Sequence, residues 1–198
     1  MHEEVVLPFP QPIKPLLHVR STLLLGGLQS LRDAGFGHAY DATVPPEVRE
    51  AIVTSVAGMW LPVSTAVAHY LACDRIGVSA DSAAQIGRGT FERTKGLLLG
   101  TAISLAKNAG ATPWTLFPHV QRFWLRGNDG GGLRVFRLGP KEARLDVVGC
   151  PIFASRYYRA AFRGLCGSVI GLVSRRVYVH EQPVGDADSA ASVRIQWV

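Results

Sequence analysis

The hydrophobic period of the chain changes at the glycine-rich segment 127–132, and this change restricts the fold more than any other feature. Before this segment, apolar residues recur at helical spacing, as with Leu24, Leu28 and Leu31. From Leu133 onward, apolar and polar residues alternate, which is the pattern of a strand with one buried face. The sequence therefore predicts helices before the glycine-rich segment and a sheet after it.

Turn residues separate the predicted strands. Gly139-Pro140 indicates a turn between the first two strands, and Pro151 ends the second. Helical period returns over 153–173, and two further strands follow at 177–181 and 192–198. The order is several helices and then β-β-α-β-β, so we predict an α+β fold in which an antiparallel sheet is backed by helices.

The longest predicted helix follows Ser79, a good N-cap, and extends from Ala80 to about Asn108. Each glycine inside a helix costs roughly 1 kcal/mol relative to alanine. We therefore expect the backbone of this helix to pack closely against another element, with a kink as the alternative. The glycines concerned are Gly87, Gly89, Gly96 and Gly100.

We predict that residues 1–16 form a proline-rich extended arm. Proline recurs at or near alternate positions over 7–15, which forbids a helix and favours an extended conformation. The arm is either a flexible tail or a strap laid over the body. Residues 17–198 contain no linker strong enough to divide them, so we predict that they form a single α+β domain.

The net charge of +6 raises the possibility of a polyanionic partner. Arg156, Arg159 and Arg163 follow helical spacing and could meet phosphates. A solvated helix face is the more ordinary explanation of such a stripe, and an excess of arginine over lysine often follows genomic base composition. We therefore expect no nucleic-acid partner.

The chain also lacks the usual signs of export or membrane insertion. Its N-terminus has no basic region followed by an apolar stretch and a cleavage site. The apolar stretch 96–106 is far shorter than the roughly 20 residues that span a bilayer. None of the three cysteines lies in a Cys-x-x-Cys pair. We expect a cytoplasmic protein without a membrane span, in which Cys73, Cys150 and Cys166 are buried thiols.

No pattern of catalytic or metal-binding residues stands out. The sequence contains neither a G-x-S-x-G elbow nor a P-loop. A phosphate-binding glycine loop leads into a helix, whereas the glycine-rich segment 127–132 leads into a predicted strand. The histidines lie on different elements without metal-ligand spacing. We therefore expect no catalytic residues, metal or cofactor, and a protein that is not an enzyme. These histidines are His18, His38, His69, His119 and His180.

A group of aromatic residues with one histidine is the best candidate for a binding site. Small-molecule pockets need apolar walls with a few polar tips, and this group supplies both. Core packing is the competing explanation, because Trp and Phe at helical spacing usually lie in a core. The predicted ligand-binding residues are Trp60, Trp114, Phe117, His119, Phe123 and Trp124.

The order and spacing of several short landmarks resemble an uncharacterised family of paralogous myxobacterial proteins. The resemblance covers nearly the whole chain after Leu17, although each landmark alone is only a cap, a turn or an aromatic anchor. The landmarks are Pro45-Pro46-Glu47-Val48-Arg49, Trp60-Leu61-Pro62, Ile86-Gly87-Arg88, Thr112-Pro113-Trp114, Phe123-Trp124-Leu125-Arg126, Gly149-Cys150-Pro151 and Arg163-Gly164-Leu165.

More distantly, helices followed by β-β-α-β-β resemble the ligand-binding fold of vinyl-reductase-type sensor domains, haem nitric-oxide sensors and Golgi transport-particle subunits. This resemblance implies a pocket for a small molecule or an acyl chain. The chain departs from two of these groups. Residues 177–198 lack the zinc-binding cysteines of the sensor domains. Residues 155–159 contain Ser, Arg and Tyr, the residue types of the Tyr-x-Ser-x-Arg haem motif, but in the wrong order.

These observations lead to two functional hypotheses. The first is a non-catalytic small-molecule-binding or sensory domain with an apolar pocket, and it predicts a buried apolar cavity near the aromatic group. The second is a protein–protein interaction module, either a homodimer or an adaptor, suggested by the proline-rich arm and by fold relatives that act in assemblies.

Overall fold

The computed structural model describes residues 3–99 and 110–198. In these ranges, five antiparallel strands form the main sheet in the order β1-β4-β5-β7-β6, and a two-stranded ribbon pairs β2 with β3. The strands are β1 Glu4–Leu7, β2 His18–Arg20, β3 Trp60–Pro62, β4 Gly132–Gly139, β5 Glu142–Val148, β6 Val177–Gln182 and β7 Ala191–Trp197.

All but the last of the described helices precede β4 in the sequence, and the last lies between β5 and β6. Short 3-10 turns at Phe117–His119 and Pro151–Ala154 precede the last two helices. The helices are α1 Ser21–Asp33, α2 Gly37–Thr43, α3 Pro46–Val53, α4 Val63–Ile76, α5 Ala80–Leu99, α6 Pro113–Leu116, α7 Val120–Gly127 and α8 Arg156–Gly171. The predicted α+β class and the β-β-α-β-β order are confirmed.

One face of the sheet is apolar because alternate residues of each strand point to the same side. Leu133 lies opposite Val147 across β4 and β5, and Leu145 lies opposite Val193 across β5 and β7. All four side chains are buried in the main hydrophobic core. This face receives α8, whose buried residues include Phe162, so the core lies between the sheet and the helices.

The proline-rich arm lies along the body of the protein. Its first part is β1, which pairs with β4 at one edge of the sheet. Further on, the N–H of Leu16 donates to the carbonyl oxygen of Gly149 at 2.9 Å, and the N–H of Gly131 donates to that of Lys14 at 2.7 Å. A carboxylate oxygen of Asp129 accepts the backbone N–H groups of Leu17 and His18 at 2.9 and 2.7 Å.

The Ser79 hydroxyl caps α5 by accepting the N–H of Ser82 at 3.1 Å. The predicted extension of this helix to about Asn108 lies outside the described residues, as does Gly100. Within α5, a Cβ atom at Gly87 would lie 2.0 Å from the carbonyl oxygen of Ala161 in α8. The expectation of close backbone packing is thus confirmed at Gly87, whereas Gly96 has no such neighbour within 4 Å among the residues that the structure describes.

No helix in the described part of the chain is long and apolar enough to cross a membrane. All three cysteines are buried as free thiols.

Candidate functional site: an apolar cavity against the sheet

A cavity of about 100 Å³ lies between α7, α8 and the apolar face of the sheet. Its wall is almost wholly hydrocarbon and aromatic carbon. Helix α8 contributes the largest share, α7 and the turn before it form another side, and single residues of three strands form the floor. The lining residues are Leu23, Phe117, Val120, Phe123, Trp124, Asn128, Leu133, Leu145, Tyr158, Phe162, Leu165, Cys166, Val169, Ile170 and Ile195.

Helical periodicity places the α8 part of this wall. Phe162, Cys166 and Ile170 recur at intervals of four residues and therefore share one face of the helix. Leu165 and Val169 form a parallel row beside them. Since the helix lies against a sheet face that is also apolar, the two surfaces border a partly open space, and all the strand residues that line it are apolar.

Four lining side chains carry heteroatoms, and one of them, the Trp124 indole, donates its N–H to the carbonyl oxygen of Gly130 at 2.6 Å. The carboxamide nitrogen of Asn128 donates to the carbonyl oxygen of Trp124 at 3.1 Å. Burial raises the pKa of the Cys166 thiol to about 12. Burial also raises the pKa of the Tyr158 phenol well above its ordinary value, with smaller contributions from nearby Cys150 and Tyr70. Both groups are therefore protonated at neutral pH, and the described wall carries no formal charge.

The structure divides the predicted site residues into two groups. Phe117, Phe123 and Trp124 line the cavity, whereas Trp60, Trp114 and His119 do not appear among its lining residues. His119 is exposed and faces the ring of Phe123 at 6.4 Å.

The two other tryptophans have different surroundings. The Trp114 indole packs edge-on against Trp197 at 5.0 Å, and its N–H donates to the carbonyl oxygen of Pro140 at 2.8 Å. Trp60 lies in the small ribbon and is 36% exposed, with the guanidinium of Arg20 stacked 3.9 Å above its ring. Neither indole is placed to contact a molecule in the cavity.

The predicted aromatic group did not include the α8 part of the wall. The signal was present, because Tyr158, Phe162, Cys166 and Ile170 form a continuous apolar stripe in the sequence. The strand residues were harder to find, since an inward-facing Leu or Ile on a strand lines the core whether or not a cavity lies beside it.

A buried aromatic cluster adjoins the cavity behind Tyr158. The rings of Tyr158 and Tyr70 lie 4.6 Å apart, and the same distance separates Tyr70 from His69. The Tyr40 hydroxyl lies 2.7 Å from Nδ1 of His69. Burial lowers the pKa of His69 to about 4, so this imidazole is neutral at neutral pH.

The predicted arginine stripe is partly engaged in contacts within the protein. Arg159 lies 3.7 Å from the Glu181 carboxylate and donates to the carbonyl oxygen of Ala187 at 3.1 Å. Nε of Arg163 is buried without a hydrogen-bond partner, and Arg156 is exposed. No group of three or more His, Cys, Asp or Glu residues in the described ranges could hold a metal ion.

The chain matches no family model and no curated protein. Its structure is similar to several solved H-NOX domains. One is an oxygen-binding H-NOX domain related to soluble guanylate cyclases, in its oxygen complex, with a TM-score of 0.57 and 14% identity over 90% of this chain and 94% of that one. Another comes from a study of haem distortion in the H-NOX family, with a TM-score of 0.60 and 16% identity over the same shares.

A mutant of T. tengcongensis H-NOX aligns with a TM-score of 0.57 and 15% identity over 90% of this chain and 97% of that one. The predicted resemblance to haem nitric-oxide sensors is confirmed at the level of fold. The resemblance to the myxobacterial family stays a prediction. The chain therefore has the α+β fold of H-NOX domains.

Proposed function

We propose that this chain is a non-catalytic, small-molecule-binding sensory domain whose ligand occupies the apolar cavity. The single observation that carries the proposal is the cavity itself, a partly open space that α7, α8 and the sheet line with an uncharged wall. Apolar clefts with a few polar groups are typical of ligand sites. The likeness to a domain described as oxygen-binding supports a sensory role for this chain.

The fold also implies haem, and the described residues of this cavity do not fit it. Haem iron takes an axial His, Met, Cys thiolate or Tyr. Neither His nor Met is among the described lining residues, and residues 100–109 contain none of the four residue types. The cavity of about 100 Å³ is also well below the roughly 300–1,000 Å³ of pockets for drug-sized molecules. The proposed function therefore does not depend on haem.

Native mass spectrometry of the protein purified from its own host, or from a lipid-containing extract, tests the proposal. We expect a native mass that exceeds the denatured mass by a non-covalently retained small molecule. Unfolding destroys the cavity, so the denatured mass should equal that of the chain alone. If the native mass shows no excess, and no added small molecule changes the thermal stability, the sensory proposal is wrong.

A second candidate function is the interaction module, because one exposed segment is unusually apolar. Val56 is 74% exposed, and Met59 in the same loop is 43% exposed. Both lie near Trp60, so they form an apolar surface at the end of the ribbon. Grouped exposed apolar side chains often mark protein contacts.

A further inference from the structure

We propose that the cavity selects an uncharged, hydrocarbon-rich molecule about the size of one aromatic ring, and that it rejects carboxylates and porphyrins. This inference rests on the proposed function and specifies the ligand class of the same site. It follows from the volume of the cavity, the absence of charge in its described wall, and the shape of its aromatic side chains.

The volume limits the part of a ligand that the cavity can bury to a few heavy atoms. Pockets for drug-sized molecules measure roughly 300–1,000 Å³. A dry apolar cavity of about 150 Å³ binds benzene or xenon. The present cavity, at about 100 Å³, belongs to the second class. A ring with one small substituent is admitted if side chains such as the half-buried Leu165 and Val169 adjust their rotamers.

The wall excludes charged ligands. None of the described lining residues is Arg, Lys, His, Asp or Glu. A carboxylate or ammonium group placed there would lose its hydration without gaining a partner of opposite charge, which is strongly unfavourable. The Tyr158 hydroxyl and the Asn128 carboxamide offer only neutral hydrogen-bonding groups.

Aromatic side chains on two sides of the cavity favour a flat ring. The rings of Trp124 and Phe162 meet edge to face, with centroids 6.5 Å apart and planes at 88°. Phe117 and Phe123 add further ring surfaces to the α7 side. Aromatic pairs prefer such edge-to-face or offset contacts, so a planar guest can contact faces and edges at the same time.

Thermal-shift measurements with toluene, benzoate and haemin on the full chain test this inference. At a concentration ten times its Kd, toluene should raise the Tm by on the order of 3 °C. Benzoate differs from toluene chiefly in its carboxylate, so it should leave the Tm unchanged, as should haemin. A haemin or benzoate shift equal to that of toluene overturns the inference, and so does the absence of a toluene shift.

Two variants locate the binding. Val169→Phe fills the cavity and should abolish the toluene shift. Leu125→Phe adds the same kind of ring at an exposed position on α7, and the toluene shift should remain unchanged. Xenon in crystals of the unmodified protein gives an independent readout and should occupy this cavity. If native mass spectrometry instead retains an anionic molecule, the inference fails and the proposed function stands; if nothing of any class binds, both fail.

Discussion

At the scale of single residues, the most consequential buried polar group is the imidazole of His69. Its side chain is almost completely buried, and its Nδ1 atom lies 2.7 Å from the Tyr40 hydroxyl. A protonated imidazole at this position would carry a charge away from water, which is why burial lowers its pKa to about 4. Folding therefore requires a neutral His69.

This requirement predicts how stability depends on pH. Between pH 6.5 and 4 the unfolded chain binds a proton at His69 that the folded chain does not. The free energy of unfolding should thus rise with pH across this window, and His69 accounts for about 3 kcal/mol of that rise. Urea unfolding at several pH values should show that His69→Gln flattens the dependence.

His119→Gln is the matched control for this experiment, because His119 is exposed and its replacement should leave the slope in place. If the free energy of unfolding depends on pH equally in the unmodified protein and in His69→Gln, folding does not keep the His69 imidazole neutral.

The residue scale also shows how far sequence reasoning about the site reaches. The spacing of Phe117, Phe123 and Trp124 indicates a shared apolar surface, and all three side chains line the cavity, while their role in binding stays a prediction. Trp60 and Trp114 belong to the same predicted aromatic group, but Trp60 contacts Arg20 and Trp114 contacts Trp197. A sequence identifies apolar faces, but which part of a face borders unfilled space depends on packing between distant elements.

At the scale of elements, the crossing of α5 and α8 relies on glycine in both helices. A Cβ atom at Gly87 would meet the carbonyl oxygen of Ala161, and one at Gly164 would lie 1.9 Å from the carbonyl oxygen of Ala84. These neighbours are backbone atoms and cannot rotate away. The crossing matters for the site because α8 contributes more of the cavity wall than any other element.

We therefore predict that Gly164→Ala destabilises the protein by roughly 1–3 kcal/mol, as overpacking generally does. The matched control is Gly96→Ala on α5, where no atom of residues 3–99 or 110–198 lies within 4 Å of the added Cβ. This second change should stabilise by up to about 1 kcal/mol through helix propensity. Chemical denaturation of both variants checks the opposite signs, and equal effects would contradict the close crossing.

The arm shows a different limit of prediction at this scale. Alternating prolines predict extended chain over 7–15, because proline is excluded from the interior of a helix. They left open whether the arm is a tail or a strap. The contacts that decide this lie more than a hundred residues away, at Asp129 and Gly149, and no local pattern encodes a pairing at that distance.

At the scale of the whole molecule, the fold was easier to predict than the ligand. The change of period near residue 130 predicts the order of elements, and solved domains with only 14–16% identity have the same architecture. Such an architecture needs apolar residues on the correct faces, and many sequences meet this condition. The ligand depends instead on the few side chains that border the cavity, which differ freely within one fold.

The last prediction concerns the oligomeric state and separates the two candidate functions. Strand β1 pairs with β4 of the same chain, and Leu16 is buried in its own core. Deleting residues 1–15 should therefore lower the Tm by removing an edge strand, and leave the number of chains per particle unchanged.

Val56→Glu, on the exposed apolar segment, should change neither the Tm nor the number of chains if the protein acts alone. Native mass spectrometry of the three proteins measures both the number of chains and any retained ligand. A dimer that dissociates after Val56→Glu would favour the interaction module, whereas dissociation only after the deletion would show that the arm pairs between chains.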